Sequence, residues 1–410
     1  TQESRGSARS ARKFASEQRE PALPACRARA LPAHLGRHYA SRVHRSRALL
    51  LGGALFFGGC ELIGGIDDRQ VIPGGGGGGG ESGDGGGLSC GVPAYDCLGG
   101  ECYEGACQPV LVTPVAFPNA LAVSGPRIYW SANAAASAEV RYCNKAGCDG
   151  EPTVFLDGLT DILNLVATPE NLFILKTSVP GAIVGCPITA TSCSDYTFSA
   201  TPLHGPTTLA VDSGFAYFST LGDKQDTEAT WLYSCPTFDC TKPTPLVTTR
   251  ASAIAFEGQF IYWVDEVSHH VRRCHVGGCA NTEQTVTAIP NATGFDLYVR
   301  DGWVTYAGSE KNLYRCELTA AGTCGPLITV AETAEGIAAF DIDESFAYFA
   351  ERSKDPQPIR RAALTGEWGD ELASGEIDVI DLVQDDAAVY WVAAGERKMG
   401  SLRKVAKPPQ

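Results

Sequence analysis

Of the 16 cysteines in this 410-residue chain, fourteen fall between Cys90 and Cys324 in closely spaced groups. Thiols so arranged either close disulfides or converge on a metal. Ten form the pairs Cys143/Cys148, Cys186/Cys193, Cys235/Cys240, Cys274/Cys279 and Cys316/Cys324, about 40 residues apart, with inner gaps of four to seven residues. Zinc needs four ligands at one point, and single pairs spread evenly along a chain do not supply them. The pairs therefore read as five disulfides and no metal site, and such thiol usage belongs to an oxidising compartment. Cys90, Cys97, Cys102 and Cys107 form a separate group within eighteen residues. So short a stretch cannot bury a core, so two disulfides must hold it, in one of three connectivities.

Other chemistry is sparse. The chain contains no Gly-x-Ser-x-Gly, His-Glu-x-x-His, phosphate-loop or dinucleotide fingerprint, and nothing calls for a cofactor. Of the 7 histidines, three lie before Cys60 and His269, His270 and His275 share one outer hairpin, which leaves His204. Asp341-Ile342-Asp343-Glu344 and Asp385-Asp386 lack the oxygen count and glycine of a calcium loop and read as turn residues.

The elements that must position these residues come from self-alignment. A short apolar strand, a turn and an aromatic-rich strand recur as Leu121-Ala122-Val123 with Ile128-Tyr129-Trp130, Leu209-Ala210-Val211 with Ala216-Tyr217-Phe218, Ile254-Ala255-Phe256 with Ile261-Tyr262-Trp263, and Phe340-Asp341-Ile342 with Ala347-Tyr348-Phe349. Weaker copies at Phe173, Thr305 and Tyr390 complete seven, 42 to 45 residues apart. A period of this length with period-2 strands and no helical pattern predicts four-stranded antiparallel blades: an all-β, seven-bladed β-propeller over residues 108–410, with six blades as the alternative.

In each of the first five copies a cysteine ends the third strand and its partner opens the fourth, so the pairs should staple third to fourth strand. Ala362 and Val405 replace the first cysteine in the last two copies. The seventh copy ends without a fourth strand, and an open junction would expose unpaired edges. Residues 109–113 read as the missing strand, pairing beside residues 401–405. Loops entering the innermost strands would meet at the axial mouth and offer Asn119, Asp161, His204, Ser252, Thr293, Glu335 and Asp378 to a ligand, with Arg250 nearby.

The run Tyr262-Trp263-Val264-Asp265 and its weaker copies resemble the signature of the YWTD and TolB-like propellers over about 300 residues. The resemblance implies the fold and, since those propellers mostly bind other proteins, a binding role. YWTD propellers have six blades, and seven copies depart from that.

Ahead of the propeller, Arg42, Arg45 and Arg47 precede ten apolar residues and then Gly58-Gly59-Cys60, the layout of a signal peptide over residues 42–59. Phe57-Gly58-Gly59-Cys60 resembles a bacterial lipoprotein lipobox, with Phe57 where that family usually has an aliphatic residue. The resemblance implies diacylglycerol on the Cys60 thiol, cleavage before it, and stable membrane attachment. Residues 1–41 are polar and Arg-rich, which predicts a disordered stretch or one that precedes the true translation start. Residues 60–89, with glycine runs at 74–80 and 85–87, predict a flexible tether reaching roughly 30 Å. Residues 90–107 form the Cys-rich module, EGF-like or knottin-like in composition.

Before Cys60 stand 11 of the 33 basic and 3 of the 47 acidic residues, so the remainder carries 22 basic against 44 acidic residues, a net of -22. Such a body repels phosphate backbones and excludes nucleic acid as a partner. The sequence thus points to a lipid-anchored protein of the bacterial cell envelope, facing the periplasm or the cell surface. Its propeller would be a binding or scaffolding module for a protein or glycan partner. The alternative is an extracytoplasmic hydrolase or lyase working in the axial pocket.

Overall fold

The computed structural model describes Cys90 and residues 96–408 apart from 104, 134–136, 149, 178–179, 194–197, 222–229, 290–295, 309–310, 353–355, 368 and 396–398. The chain divides into the units Thr1–Cys60 and Glu61–Gln410, and every described residue falls in the second. The predicted signal peptide, Cys60 and the predicted glycine-rich tether lie outside the described residues.

Seven four-stranded antiparallel sheets follow one another, so the ring has seven blades and not six. The inner strands are Pro118–Ser124, Ile162–Ala167, Pro206–Asp212, Ala251–Glu257, Leu297–Arg300, Ile337–Ile342 and Val379–Gln384. Within blades one to six the chain runs from the inner strand outward. No helix long and apolar enough to cross a membrane occurs among the described residues.

The second strands explain the aromatic signature. Trp130, Trp263 and Trp391, with Tyr129, Tyr262, Tyr348 and Phe218, are fully buried, because neighbouring sheets cover both faces of these strands. Each such strand is consequently a continuous apolar run, whereas third strands such as Ala138–Asn144 alternate. The rings fill the spaces between blades: Tyr217 of blade three packs against Phe256 of blade four at 4.7 Å between centroids, and Tyr298 of blade five against Phe340 of blade six at 5.2 Å.

The ring closes through both chain ends. The strand Val110–Ala116 pairs antiparallel with Met399–Ala406, with Val110 opposite Lys404 and Thr113 opposite Leu402, and so supplies the outer strand of blade seven. The predicted closing strand begins one residue later than expected and continues to Ala116.

All five blade disulfides form as paired, with Cα atoms 5.0 to 5.6 Å apart. One expectation needs correction. The second cysteines do not open the outer strands, which start later, at Thr153, Thr244 and Gln284; Cys148, Cys240 and Cys279 sit in the hairpin between third and outer strand. The reason is visible in the packing, because each stapled hairpin leans onto the preceding blade. The Cys193 amide of blade two donates to Phe155 O of blade one at 2.6 Å, and the Cys324 amide of blade five to Val286 O of blade four at 2.9 Å. The bridge therefore fixes the element that joins neighbours.

Blade seven cannot have such a hairpin, since its third and outer strands lie at opposite ends of the chain. The Cys-rich module takes that place. Its bridges are Cys90–Cys102 and Cys97–Cys107, its two short strands pair Cys102 with Cys107, and the Gln108 amide donates to Glu101 O at 2.8 Å as the chain enters the closing strand. Cys90, Cys97 and Cys107 are buried in one core with Tyr348, Val389, Val405 and Ala406. Their sulfurs lie within 4.8 Å of one another, but each is spent in a bridge.

Candidate functional site

Strand polarity gives the ring two ends. At one lie the crossovers from each outer strand to the next inner strand and the turns from second to third strand. At the other lie the inner hairpin turns, the stapled hairpins and the Cys-rich module.

A repeated backbone latch shapes the crossover end. The amides of Asn133, Thr177, Leu221, Glu266, Arg352 and Ala394, each at or just past the end of a second strand, donate to the carbonyls of Phe117, Asp161, Gly205, Arg250, Gly336 and Asp378, each just before an inner strand. Five of these acceptors, Phe117, Asp161, Gly205, Gly336 and Asp378, have positive φ. The left-handed region favours glycine and tolerates aspartate, so Asp161 and Asp378 serve the turn through their backbones.

The predicted mouth residues are distributed accordingly. Asp161, His204 and Glu335 are exposed in the crossovers, and Arg250 there pairs with Glu266 at 2.8 Å. Thr293 lies outside the described residues. Asn119 and Ser252 are not loop residues, since both belong to inner strands. The Asn119 side chain donates to Ile162 O at 2.7 Å and Leu163 O at 3.2 Å, tying blade one to blade two. The Ser252 hydroxyl is buried and makes no hydrogen bond among the described residues.

Two acidic residues do more than the sequence suggested. An inner strand pairs on one side only, so its axial edge carries peptide donors without a sheet partner. Asp341 of blade six accepts from the Ile342 amide at 2.7 Å and, across the seam, from the Gln384 amide of blade seven at 2.9 Å. Asp381 of blade seven repeats the arrangement with the Leu382 amide at 2.9 Å and the Leu121 amide of blade one at 3.0 Å. Asp341 is thus an inner-strand residue and not a turn residue; Asp343 and Asp385 are the turn residues, each capping two amides of its own turn. The signal was available: other copies put Ala122, Val166, Ala210, Ala255 and Val383 at the place of Asp341.

Tyr298 of blade five adjoins Asp341 and donates to Phe340 O at 3.2 Å. Burial pushes the Asp341 carboxyl up to about 6 against the pull of the Gln384 and Ile342 amides and the Tyr298 hydroxyl, and nearby Asp296 adds to the rise. Burial, then the charges of Asp341, Asp296 and Asp381, hold the Tyr298 hydroxyl well above its ordinary range. A carboxyl near 6 suits acid-base work, but both Asp341 oxygens already accept peptide donors, one from its own strand and one across the blade seam, which is a structural task.

A second repeated motif brackets blade seven at the opposite end. Asp343 accepts from the Tyr348 hydroxyl at 2.7 Å and from Lys407 at 2.8 Å; Asp385 accepts from Tyr390 at 3.2 Å and from Lys145 at 2.6 Å. In each case the lysine follows the third strand of the next blade. The blades lacking cysteine staples are therefore bound at their seams by charge.

Fold and site together define a closed seven-bladed β-propeller with an N-terminal disulfide module built into its last blade. No family model matches the chain, and no curated protein is similar to it in sequence. Solved structures are similar in fold. The WD40 domain of Toxoplasma gondii coronin aligns at 9% identity and TM-score 0.52, over 77% of this chain and 90% of that one. The WD40 β-propeller domain of Doa1 aligns at 10% identity and TM-score 0.52, over 74% and 98%. The computationally designed Ika8 protein aligns at 12% identity and TM-score 0.50, over 72% and 99%.

Proposed function

We propose that this chain is a lipid-anchored protein of the bacterial cell envelope whose propeller presents its crossover end to a protein or glycan partner. What supports the reading most is the position of Cys90. The tether from Cys60 would join the ring through the buried Cys-rich module, at the end opposite the crossovers. Attachment there leaves the crossover end, with exposed Asp161, His204 and Glu335, pointing away from the membrane. Seven blades closed by a terminal strand and stapled by disulfides form a rigid frame, which suits presentation of a binding face. The lipobox and the basic stretch before it supply the anchor.

The test is affinity capture from intact envelopes with the native chain and Cys60→Ser, alongside metal analysis of the purified protein. The native chain should sediment with membranes and capture a partner, and Cys60→Ser should be released. Equal membrane retention of both chains would overturn the anchor. Stoichiometric metal without a captured partner would favour the hydrolase or lyase alternative.

A further inference from the structure

The exposed apolar side chains are divided unequally between the two ends. All three exposed aromatics among the described residues, Tyr103 at 64%, Phe215 at 43% and Phe238 at 82%, belong to the hairpin end, as does Leu327 at 47%. The crossover end exposes Leu221, Val267 and Met399, none of them aromatic. Phe238 stands inside the hairpin closed by Cys235–Cys240, and Tyr103 next to the Cys90–Cys102 bridge, so both rings sit on covalently fixed supports. Neither is needed to hold blades together, since Cys240 and Cys107 make the buried contacts of those segments.

We propose that this hairpin end rests on the lipid surface, with Phe238 and Tyr103 entering the headgroup region. The inference builds on the anchored reading above. Three observations carry it. Tyr103, an apolar ring with a wet hydroxyl, is of the kind that concentrates at membrane-water interfaces, and Phe238 is of the apolar kind that a membrane-facing surface buries at the headgroup boundary. Cys90, where the 29 residues after Cys60 end, lies at this same end, and a flexible chain of that length would reach roughly 30 Å, so an anchored ring would be held within contact distance of the bilayer. A held partner needs only weak contacts, because tethering turns encounter into an intramolecular step. Charge selects the lipid: exposed Glu151, Glu170, Asp239 and Asp386 at this end outnumber exposed Lys242 and Arg300, the latter already paired with Asp301 and Glu344, so the end opposes an anionic surface and the fitting surface is zwitterionic.

The test uses the chain from Cys60 onward, lipidated, on phosphatidylcholine vesicles with brominated acyl chains. Phe238→Trp, Tyr103→Trp and Val267→Trp are each read against the parent chain with its 6 tryptophans. The added emission of Phe238→Trp and Tyr103→Trp should be blue-shifted and quenched by the brominated lipid, and that of Val267→Trp unchanged. Replacing half the lipid with phosphatidylglycerol should reduce the quenching at low salt. A chain that floats with the vesicles but shows no quenching at position 238 overturns this inference and leaves the anchor intact. Quenching at position 267 instead overturns both the orientation and the free crossover end. A concentration-dependent blue shift at position 238 without vesicles would make the face a contact between two copies. If the chain does not float, the anchor fails, and the same variants held on nickel-chelating vesicles through an N-terminal histidine tag decide the surface contact by the same quenching.

Discussion

Lys407 Nζ lies 2.8 Å from Asp343 Oδ2, and the pair joins the end of the last third strand to the sixth blade. Both side chains are nearly inaccessible, at 8% and 13%. Burial opposes ionisation of Asp343, but Lys407, the Ser345 and Phe346 amides and the Tyr348 hydroxyl outweigh it and hold the carboxyl below its usual range.

Lys407→Ala removes the cation and leaves that carboxylate enclosed. The expected cost is about 3 kcal/mol in chemical denaturation, as for breaking one partner of a buried pair. Asp343→Asn with Lys407→Ala should cost less than the two single changes added, because the orphaned charge is gone. Additive losses would show that the pair is not coupled.

Acid should act on the seams in opposite directions. Asp343 and Asp385, both held low, contribute stability that is present above the ordinary carboxyl range and lost as pH falls through it. For Asp341 the folded value of about 6 lies above the unfolded 3.8, so the folded state holds its proton more tightly. Its contribution is full below the unfolded value and is lost as pH rises through 6. Against Asp341→Asn, the native chain should lose up to about 3 kcal/mol of relative stability between pH 4 and 7. A difference in melting temperature that does not change with pH would show that Asp341 does not bind its proton in this way.

Deleting residues 108–113 removes most of the Val110–Ala116 strand and the link to the Cys-rich module. Blade seven would then expose Met399–Ala406 as a free edge, and the whole ring should lose its cooperative melting transition in calorimetry. An unchanged melting temperature would mean the ring closes in another way.

Replacing Cys186 and Cys193 by Ser opens one short loop, and about 2 kcal/mol is expected from chain entropy. Replacing Cys97 and Cys107 should cost more in the same thermal-shift measurement, because the short module has only two bridges to hold it and carries part of the core shared by blades six and seven, whereas the Cys186–Cys193 hairpin keeps its strand pairing without its bridge. Equal losses would reduce the module to a decoration on the ring.

Much of the architecture was legible because propeller repeats are local. Leu121 opposite Trp130, Leu209 opposite Phe218 and Ile254 opposite Trp263 are hairpin pairings between residues nine apart, so turn chemistry and alternation reveal them directly. Closure was legible for a related reason: a missing outer strand at one end and a spare strand at the other have one economical solution. The candidate site was less legible. Asp161 and Asp378 look like ligands in a sequence, but their positive φ marks them as turn formers, and Asn119 spends its amide on a neighbouring blade.

What the sequence determined by itself was therefore the repeat, its disulfide pairs and the strand that completes the ring, all of them matters of spacing and alternation. What only tertiary structure decided was how blades meet. Asp341 and Gln384 are 43 residues apart, and Asp381 and Leu121 are 260 apart, yet each pair shares a hydrogen bond across a seam. Likewise, nothing in the spacing of Cys90, Cys97, Cys102 and Cys107 says that they occupy the place of a hairpin blade seven cannot form. Such contacts arise when curvature brings distant segments edge to edge. Peptide groups without a sheet partner must then be satisfied by whatever the neighbouring blade presents.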